Sequence, residues 1–230
     1  MSAPTQITEN LWSITRGANI FILRAQDGQL AIIDAGIPGA LKPLKAALAA
    51  LDFQPSMVKK ILVTHADMDH VGSLHGIAAA TGARVYAGSL SKGYIESATS
   101  PPHIPALMAL IGRPIQLFTQ PKVKVDQVVQ DGDLIDFDGG IQAVFAPGHT
   151  EDNFCYYWLQ AGVLFAPDLF TRFRGKIEIT SKTMSWDVAT ARTSAYKVLA
   201  LKPQIICFGH GLPLRVSNGE AEMADLRQTM

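Results

Sequence analysis

The amino-acid sequence predicts an α/β or α+β fold in which two mixed sheets carry helices on their outer faces. Two observations support this. Apolar, β-branched runs such as Lys60-Ile61-Leu62-Val63 alternate with longer stretches whose apolar residues repeat at helical spacing. The second half of the chain then mirrors the first, again strands followed by helices. With 230 residues the chain can bury one good core, and no Gly/Ser-rich or charge-rich linker divides it, so residues 1–230 read as a single domain.

In chain order, Asn19–Leu23 and Leu30–Asp34 are strand-like and flank Asp27-Gly28, a favourable hairpin turn. Residues 40–51 and 71–80 repeat apolar side chains at helical spacing, with strands at 60–63 and 84–87. Strands follow around 133–137, 141–145, 154–159 and 163–166, then helices near 187–201 and 219–228, with a strand-like run at 204–208 between them. Residues 97–120 depart from this rhythm. Ser100-Pro101-Pro102-His103-Ile104-Pro105 and Gly112-Arg113-Pro114 bracket the apolar stretch Ala106–Ile111, a short helix that either packs on the surface or forms a pocket wall or dimer contact.

Composition narrows the function. Lys plus Arg and Asp plus Glu both total 20, so no basic excess exists to draw a nucleic acid. Cys155 and Cys207 lie far apart in apolar strand-like runs and read as reduced core residues. The amino terminus, Met1-Ser2-Ala3-Pro4-Thr5, has neither a basic nor an apolar signal region, and no apolar run approaches membrane-spanning length. The expectation is a cytoplasmic protein that acts on a small molecule, binds neither nucleic acid nor membrane, and has the option of a homodimer.

The chemistry concentrates in Thr64-His65-Ala66-Asp67-Met68-Asp69-His70, between a strand and a helix, where α/β proteins keep their active residues. Two imidazoles and two carboxylates on one loop are costly to bury unless a cation neutralises them, and a divalent metal does so. The alternative is a solvated turn whose aspartates cap the following helix. Three further strand ends agree with the metal. His149 follows Val144-Phe145-Ala146-Pro147-Gly148, Asp168 follows Val163–Pro167, and His210 lies between Gly209 and Gly211 after Ile205–Phe208. Agreement at four strand ends is hard to obtain by accident.

In these residues the chain resembles the metallo-β-lactamase superfamily over nearly its whole length. That family's pattern is a His-x-His-x-Asp-His loop, a Gly-His after a later strand, a lone Asp, and a final Gly-His. His65, Asp69, His70, His149, Asp168 and His210 fill those positions in order. The resemblance implies an αββα sandwich with two metal ions at one edge. By it, His65, residue 67, His149 and Asp168 hold one ion, while Asp69, His70, His210 and a bridging Asp168 hold the other. Asp34 matches a position that braces the metal loop from behind. His75 and His103 fall outside the pattern, and Phe170, Phe173 and Trp186 either line the cleft or join the core.

One residue departs from the family: Asp67 stands where the second histidine is usual. Its Oδ lies two bonds beyond Cβ, as an imidazole Nδ1 does, so reach is preserved while charge changes, and we expect Asp67 to be a ligand. The resemblance implies two divalent ions, with zinc expected first. The extra carboxylate weakens their Lewis acidity and turns preference towards harder manganese or iron. The expected activity is hydrolysis of a carbonyl ester, lactone or thioester by a hydroxide bridging the metals, with Asp69 carrying a proton to the leaving group. A glutathione-thioester hydrolase is disfavoured because only 20 residues follow His210, too few for a substrate-binding helical domain. Di-iron redox or oxygen chemistry, as in superfamily members with a glutamate at this position, is the alternative, and a metal-dependent ligand-binding protein is another.

Overall fold

The computed structural model describes residues 3–102, 121–173 and 176–218, together with positions 223, 224 and 226. These fall into two compact units. One runs to Ser100 and resumes at 121–129, and the other comprises Pro101, Pro102 and everything described from Gln130 onward.

The first unit holds a seven-stranded sheet in the order β1-β2-β3-β4-β5-β6-β7. Strands β1 (Thr5–Thr8), β2 (Leu11–Arg16), β3 (Ala18–Arg24) and β4 (Leu30–Ile33) pair antiparallel in succession. β5 (Val58–Leu62), β6 (Arg84–Gly88) and β7 (Gln127–Val129) then add parallel to β4 and to one another. Parallel pairing requires crossovers, supplied by α1 (Leu41–Ala50), by α2 (Met68–Val71) with α3 (Leu74–Thr81), and, on the way to β7, by α4 (Ser89–Ser97). Leu44, Leu48, Leu74, Ile77 and Ile95 of these helices pack with Ile20, Ile22, Ile32 and Ile61 of the sheet. Alternate residues of β3 and β4 point to the other face and are buried too, so both strands read as continuous apolar runs.

The second unit holds a six-stranded sheet in the order β15-β14-β11-β10-β9-β8, plus a separate hairpin. β8 (Leu134–Ile135), β9 (Ile141–Phe145), β10 (Phe154–Trp158) and β11 (Val163–Phe165) form an antiparallel meander. β12 (Phe170–Phe173) and β13 (Lys176–Ile179) make the hairpin. After it, α5 (Val188–Leu199) crosses to β14 (Ile205–Cys207), which lies parallel to β11 and pairs with β15 (Leu214–Arg215). Ala191, Ala195 and Val198 of α5 pack with Val144, Leu164 and Ile206 of the sheet.

The expected architecture of two mixed sheets with helices is present. The helix expected over 71–80 is divided: α2 begins earlier, at Met68, and the chain breaks at Gly72-Ser73. A Cβ at position 72 would stand 2.5 Å from Pro38 N and from Met68 O, so only glycine lets α2 end against that loop. Ser73 Oγ then donates to Ile37 O at 2.6 Å and accepts from Ala40 N at 2.8 Å, tying the break to the start of α1. Strands β1, β2 and β7, the β12–β13 hairpin and α4 were not expected. α4, with Gly93 and three serines, has weak helical propensity and is fixed by packing, through buried Ile95. The apolar stretch at 106–111, His103, and most of the helix expected near 219–228 lie outside the described residues. Cys155 and Cys207 are buried, unbridged thiols whose ionisation burial pushes well above the ordinary range. No helix among the described residues is long and apolar enough to cross a membrane.

Candidate metal centre

The first unit contributes one cluster, built where β4 and β5 end. Their parallel register pairs Ile33 with Leu62, so Asp34 and Val63-Thr64 leave the sheet side by side. Asp34 adopts φ 61°, a left-handed conformation that aspartate tolerates better than most residues. This turns its buried carboxylate onto the next loop. It accepts hydrogen bonds from Thr64 N at 2.9 Å and from Thr64 Oγ1, and it faces His70 Nδ1 at 2.8 Å. Thr64 Oγ1 also lies 3.1 Å from His65 Nδ1. The one hydroxyl proton goes to the carboxylate, so the oxygen accepts from His65 Nδ1–H, and His70 Nδ1–H donates to Asp34. Both imidazoles then carry their lone pair on Nε2, the tautomer a metal requires. Their rings are fully buried, 4.1 Å apart at the centroids.

The two loop carboxylates face those nitrogens. Asp67 is the N-cap of α2, and its carbonyl accepts from His70 N and Val71 N, yet its side chain makes no capping bond. Instead Asp67 Oδ2 stands 3.5 Å from His65 Nε2. The capping alternative raised by the sequence therefore does not describe this carboxylate. Asp69 Oδ2 lies 4.0 Å from His70 Nε2.

The second unit contributes another cluster at the carboxyl ends of three strands that run in one direction. β9 and β11 are both antiparallel to β10, and β14 is parallel to β11. Pairing of Phe165 with Cys207, continued by Ala166 N donating to Cys207 O at 2.9 Å, sets the loops bearing Asp168 and His210 beside each other. Asp168 Oδ2 lies 3.4 Å from His210 Nε2 and 3.6 Å from His149 Nε2. His149 Nδ1 donates to Met184 O at 2.6 Å, which again leaves the lone pair on Nε2. The loop bearing His149 rests on the start of α5, where a Cβ at Gly148 would lie 2.3 Å from Ala191 Cα. Asp187 N and Trp186 N close that contact by donating to Gly148 O and His149 O.

Each sequence-expected ligand thus sits in one of the two clusters: His65, Asp67, Asp69 and His70 in the first, His149, Asp168 and His210 in the second. His75 is exposed on α3, Phe170 belongs to the core and Trp186 is exposed. The sequence reading did not find Thr64, the Met184 carbonyl or the hairpin between Asp168 and α5. The hairpin had a signal: Lys176–Ile179 alternates polar and apolar residues directly after the dipeptide Arg174-Gly175, a sequence that favours a turn.

The profile of the metallo-beta-lactamase superfamily (Lactamase_B) matches residues 14–210. The chain belongs to that superfamily, whose members are hydrolases and whose fold binds divalent metals, typically zinc. Among its relatives is the Bacillus subtilis protein YobT, 27% identical over 225 residues that cover 90% of this chain and 91% of that one. A hydroxyacylglutathione hydrolase from Rhodospirillum rubrum is 27% identical over 195 residues, covering 83% of this chain and 61% of that protein. A solved Cronobacter sakazakii metallo-β-lactamase with a HARLDQ motif superposes with a TM-score of 0.71 at 22% identity, covering 97% of this chain and 82% of that one, and so shares the fold.

The donor set fits divalent metal. Four facing Nε2 and Oδ2 pairs are spaced at 3.5, 4.0, 3.6 and 3.4 Å, beyond the 2.7–2.9 Å of a charge-assisted hydrogen bond. A tetrahedron with metal–ligand bonds of 2.0–2.1 Å has edges of roughly 3.3–3.4 Å, close to three of these four spacings. Nitrogen lone pairs facing carboxylates at such distances call for a cation between them.

Proposed function

We propose that the two clusters join in one dinuclear centre and that the protein hydrolyses a carbonyl ester, lactone or thioester of a small molecule. The observation that carries this is the repeated spacing of imidazole nitrogens and carboxylate oxygens at the edge length of a metal polyhedron, inside a chain of a hydrolase superfamily. His65, Asp67, His149 and Asp168 hold one divalent ion in this reading, and Asp69, His70, His210 and the shared Asp168 hold the other. When bound, two such ions supply a water that ionises near neutral pH and a Lewis acid for the substrate carbonyl.

The residues of the chain do the rest. Asp34 and Thr64 lock the tautomers of His70 and His65, and the Met184 carbonyl locks that of His149. Asp69, with about a third of its side chain exposed, is open enough to exchange a proton with a departing alkoxide or thiolate. Asp67 lowers the net charge of the centre by one unit relative to a histidine, which suits leaving groups that need little help. The third letter of the Cronobacter HARLDQ motif, an arginine, supports variation at this place of the motif within the fold. Operation in the cytoplasm is part of the same reading, supported by the unbridged thiols of Cys155 and Cys207.

Elemental analysis of purified protein, alongside a panel of chromogenic esters, lactones, thioesters and phosphoesters, tests the proposal. Two ions per chain with carbonyl-ester turnover that chelation abolishes is the expected result. One ion or none in a fully loaded preparation, or turnover of phosphoesters alone, overturns it. The Asp67 carboxylate that faces His65 favours a second reading, in which harder iron occupies the centre and performs redox chemistry. Iron as the native metal with no hydrolysis of any ester in the panel would select that reading.

A further inference from the structure

We propose that Arg172 is a positioning residue for His210 and selectively sets the affinity of the ion that His210 helps to hold. This assignment rests on the dinuclear reading above. His210 is the least enclosed of the candidate histidines: 47% of its side chain is exposed, against 3% for His149 and none for His65 and His70. Its own loop does little to restrain it, because glycines flank it on both sides and Gly211 adopts φ 91°. Packing encloses the other three rings far more than this one.

The hairpin restrains the loop that carries it. Arg172, on β12, sends Nη1 to Pro213 O at 3.1 Å and to Leu212 O at 3.4 Å, two consecutive carbonyls just beyond His210. The backbones are close as well, since a Cβ at Gly211 would lie 3.2 Å from Arg172 O. Arginine stays charged throughout the pH range of a folded protein, and its rigid fork forms charge-assisted bonds stronger than neutral ones. The same hairpin begins two residues after Asp168, and Thr180 Oγ1 at its far end donates to Asp168 O. One structural element therefore carries both the brace on Asp168 and the latch on the His210 loop, which keeps the carboxylate and the imidazole in step.

A general stabilising role accounts poorly for this contact. The hairpin is already closed by the pairing of Phe170–Phe173 with Lys176–Ile179, and the His210 loop by the pairing of Ile206 with Leu214. What Arg172 adds is the orientation of the loop between those anchors.

The test is calorimetric titration of metal-free protein with Zn²⁺, for wild type, Arg172→Ala, Arg172→Lys and His210→Ala, with a thermal melt of each metal-free protein. Wild type should bind two ions and His210→Ala should lose one. Arg172→Ala should bind the first ion as wild type does and the second about 10–100-fold more weakly, the usual effect of removing a group that orients a ligand. Arg172→Lys should show the same split in smaller measure, because it keeps the charge without the fork. It decides the matter if Arg172→Ala fails to fold. Unchanged affinity for both ions, or equal weakening of both, overturns the assignment of Arg172. A wild type that binds fewer than two ions, or a His210→Ala variant that keeps both, instead overturns the dinuclear reading and the assignment with it.

Discussion

The two clusters hold similar donors by opposite means. In the first unit, four candidates come from six consecutive residues, and a single buried carboxylate, Asp34, fixes the loop through Thr64 and His70. In the second, three candidates come from three separate strand ends, and each has its own support: the Met184 carbonyl for His149, Thr180 for the backbone of Asp168, and Arg172 for the loop of His210. A contiguous ligand loop concentrates its stability in one residue, whereas a dispersed set spreads it over several. Loss of a single brace should therefore be global in the first cluster and confined to one ligand in the second.

The largest effect is expected at Asp168, whose carboxylate faces both His149 and His210. Asp168→Ala removes a donor opposite both His149 and His210, so a protein that binds two ions should retain one at most, and ester hydrolysis should disappear. His75→Ala, on the exposed face of α3, should keep both ions and full turnover. Metal analysis of both variants checks this, and full stoichiometry in Asp168→Ala would show that this residue is not shared.

Next comes Asp34, where the contrast between the clusters is sharpest. Asp34→Ala strands the Thr64 amide, the Thr64 hydroxyl and His70 Nδ1–H in a buried site and places alanine at φ 61°. At about 1–3 kcal/mol for each unsatisfied buried group, several kcal/mol are lost. In a chain of this size that corresponds to a fall in Tm of roughly 10 °C or more. Metal-free protein should show the drop in a thermal melt, whereas removing the Arg172 latch from the second cluster should leave the metal-free Tm within about 2 °C of wild type. Equal losses for the two variants would erase the distinction drawn between the clusters.

These differences follow what was legible in the sequence. The candidate ligands were, as positions, because each lies just beyond an apolar strand and strand ends are readable from a run of β-branched residues. Asp34 was placed behind the loop by the family pattern, and the parallel register of β4 and β5 shows why it reaches Thr64. The supports of the second cluster were hidden for a physical reason. A backbone carbonyl such as that of Met184 has no signature in residue type, and Arg172 acts on carbonyls 40 and 41 residues away. The break at Gly72-Ser73 was missed because helical periodicity passes through it undisturbed, while the contact with Pro38 that forces it is tertiary.

A smaller effect is expected at Asp67, whose oxygen faces His65 although a capping bond was open to it. Asp67→His adds one positive unit to the centre. The ionisation that controls kcat/KM should move down by roughly one pH unit, and zinc should gain over manganese. A pH profile of both proteins on one activated ester, with metal occupancy checked at each pH, gives the answer. An ionisation that stays in place or moves upward in the fully loaded variant would refute the charge argument and leave Asp67 a role in shaping the pocket.

The smallest effect sharpens the comparison from the edge of the second cluster. Asp187 caps α5 by accepting from Thr190 N at 2.6 Å, and the backbone of the same residue donates to Gly148 O beside His149. The cap hydrogen bond holds the Asp187 carboxyl below the usual carboxylate range, with that backbone bond its leading cause. A carboxyl whose folded-state pKa is depressed adds stability that is complete above its unfolded value, about 3.9, and is lost as pH falls through the lower folded value. Asp187→Ala should therefore melt about 2 °C lower than wild type at pH 7. The gap should narrow below pH 4 and close once the native carboxyl is protonated. Melts of metal-free protein at pH 7, 4 and 3 measure it, and a gap that persists unchanged at pH 3 would show that the variant loses packing rather than a cap. Because the backbone of Asp187 meets the loop of His149, the same variant should weaken zinc binding slightly at one ion alone. A matching loss at both ions would mean that the second cluster is held as one piece, as the first is.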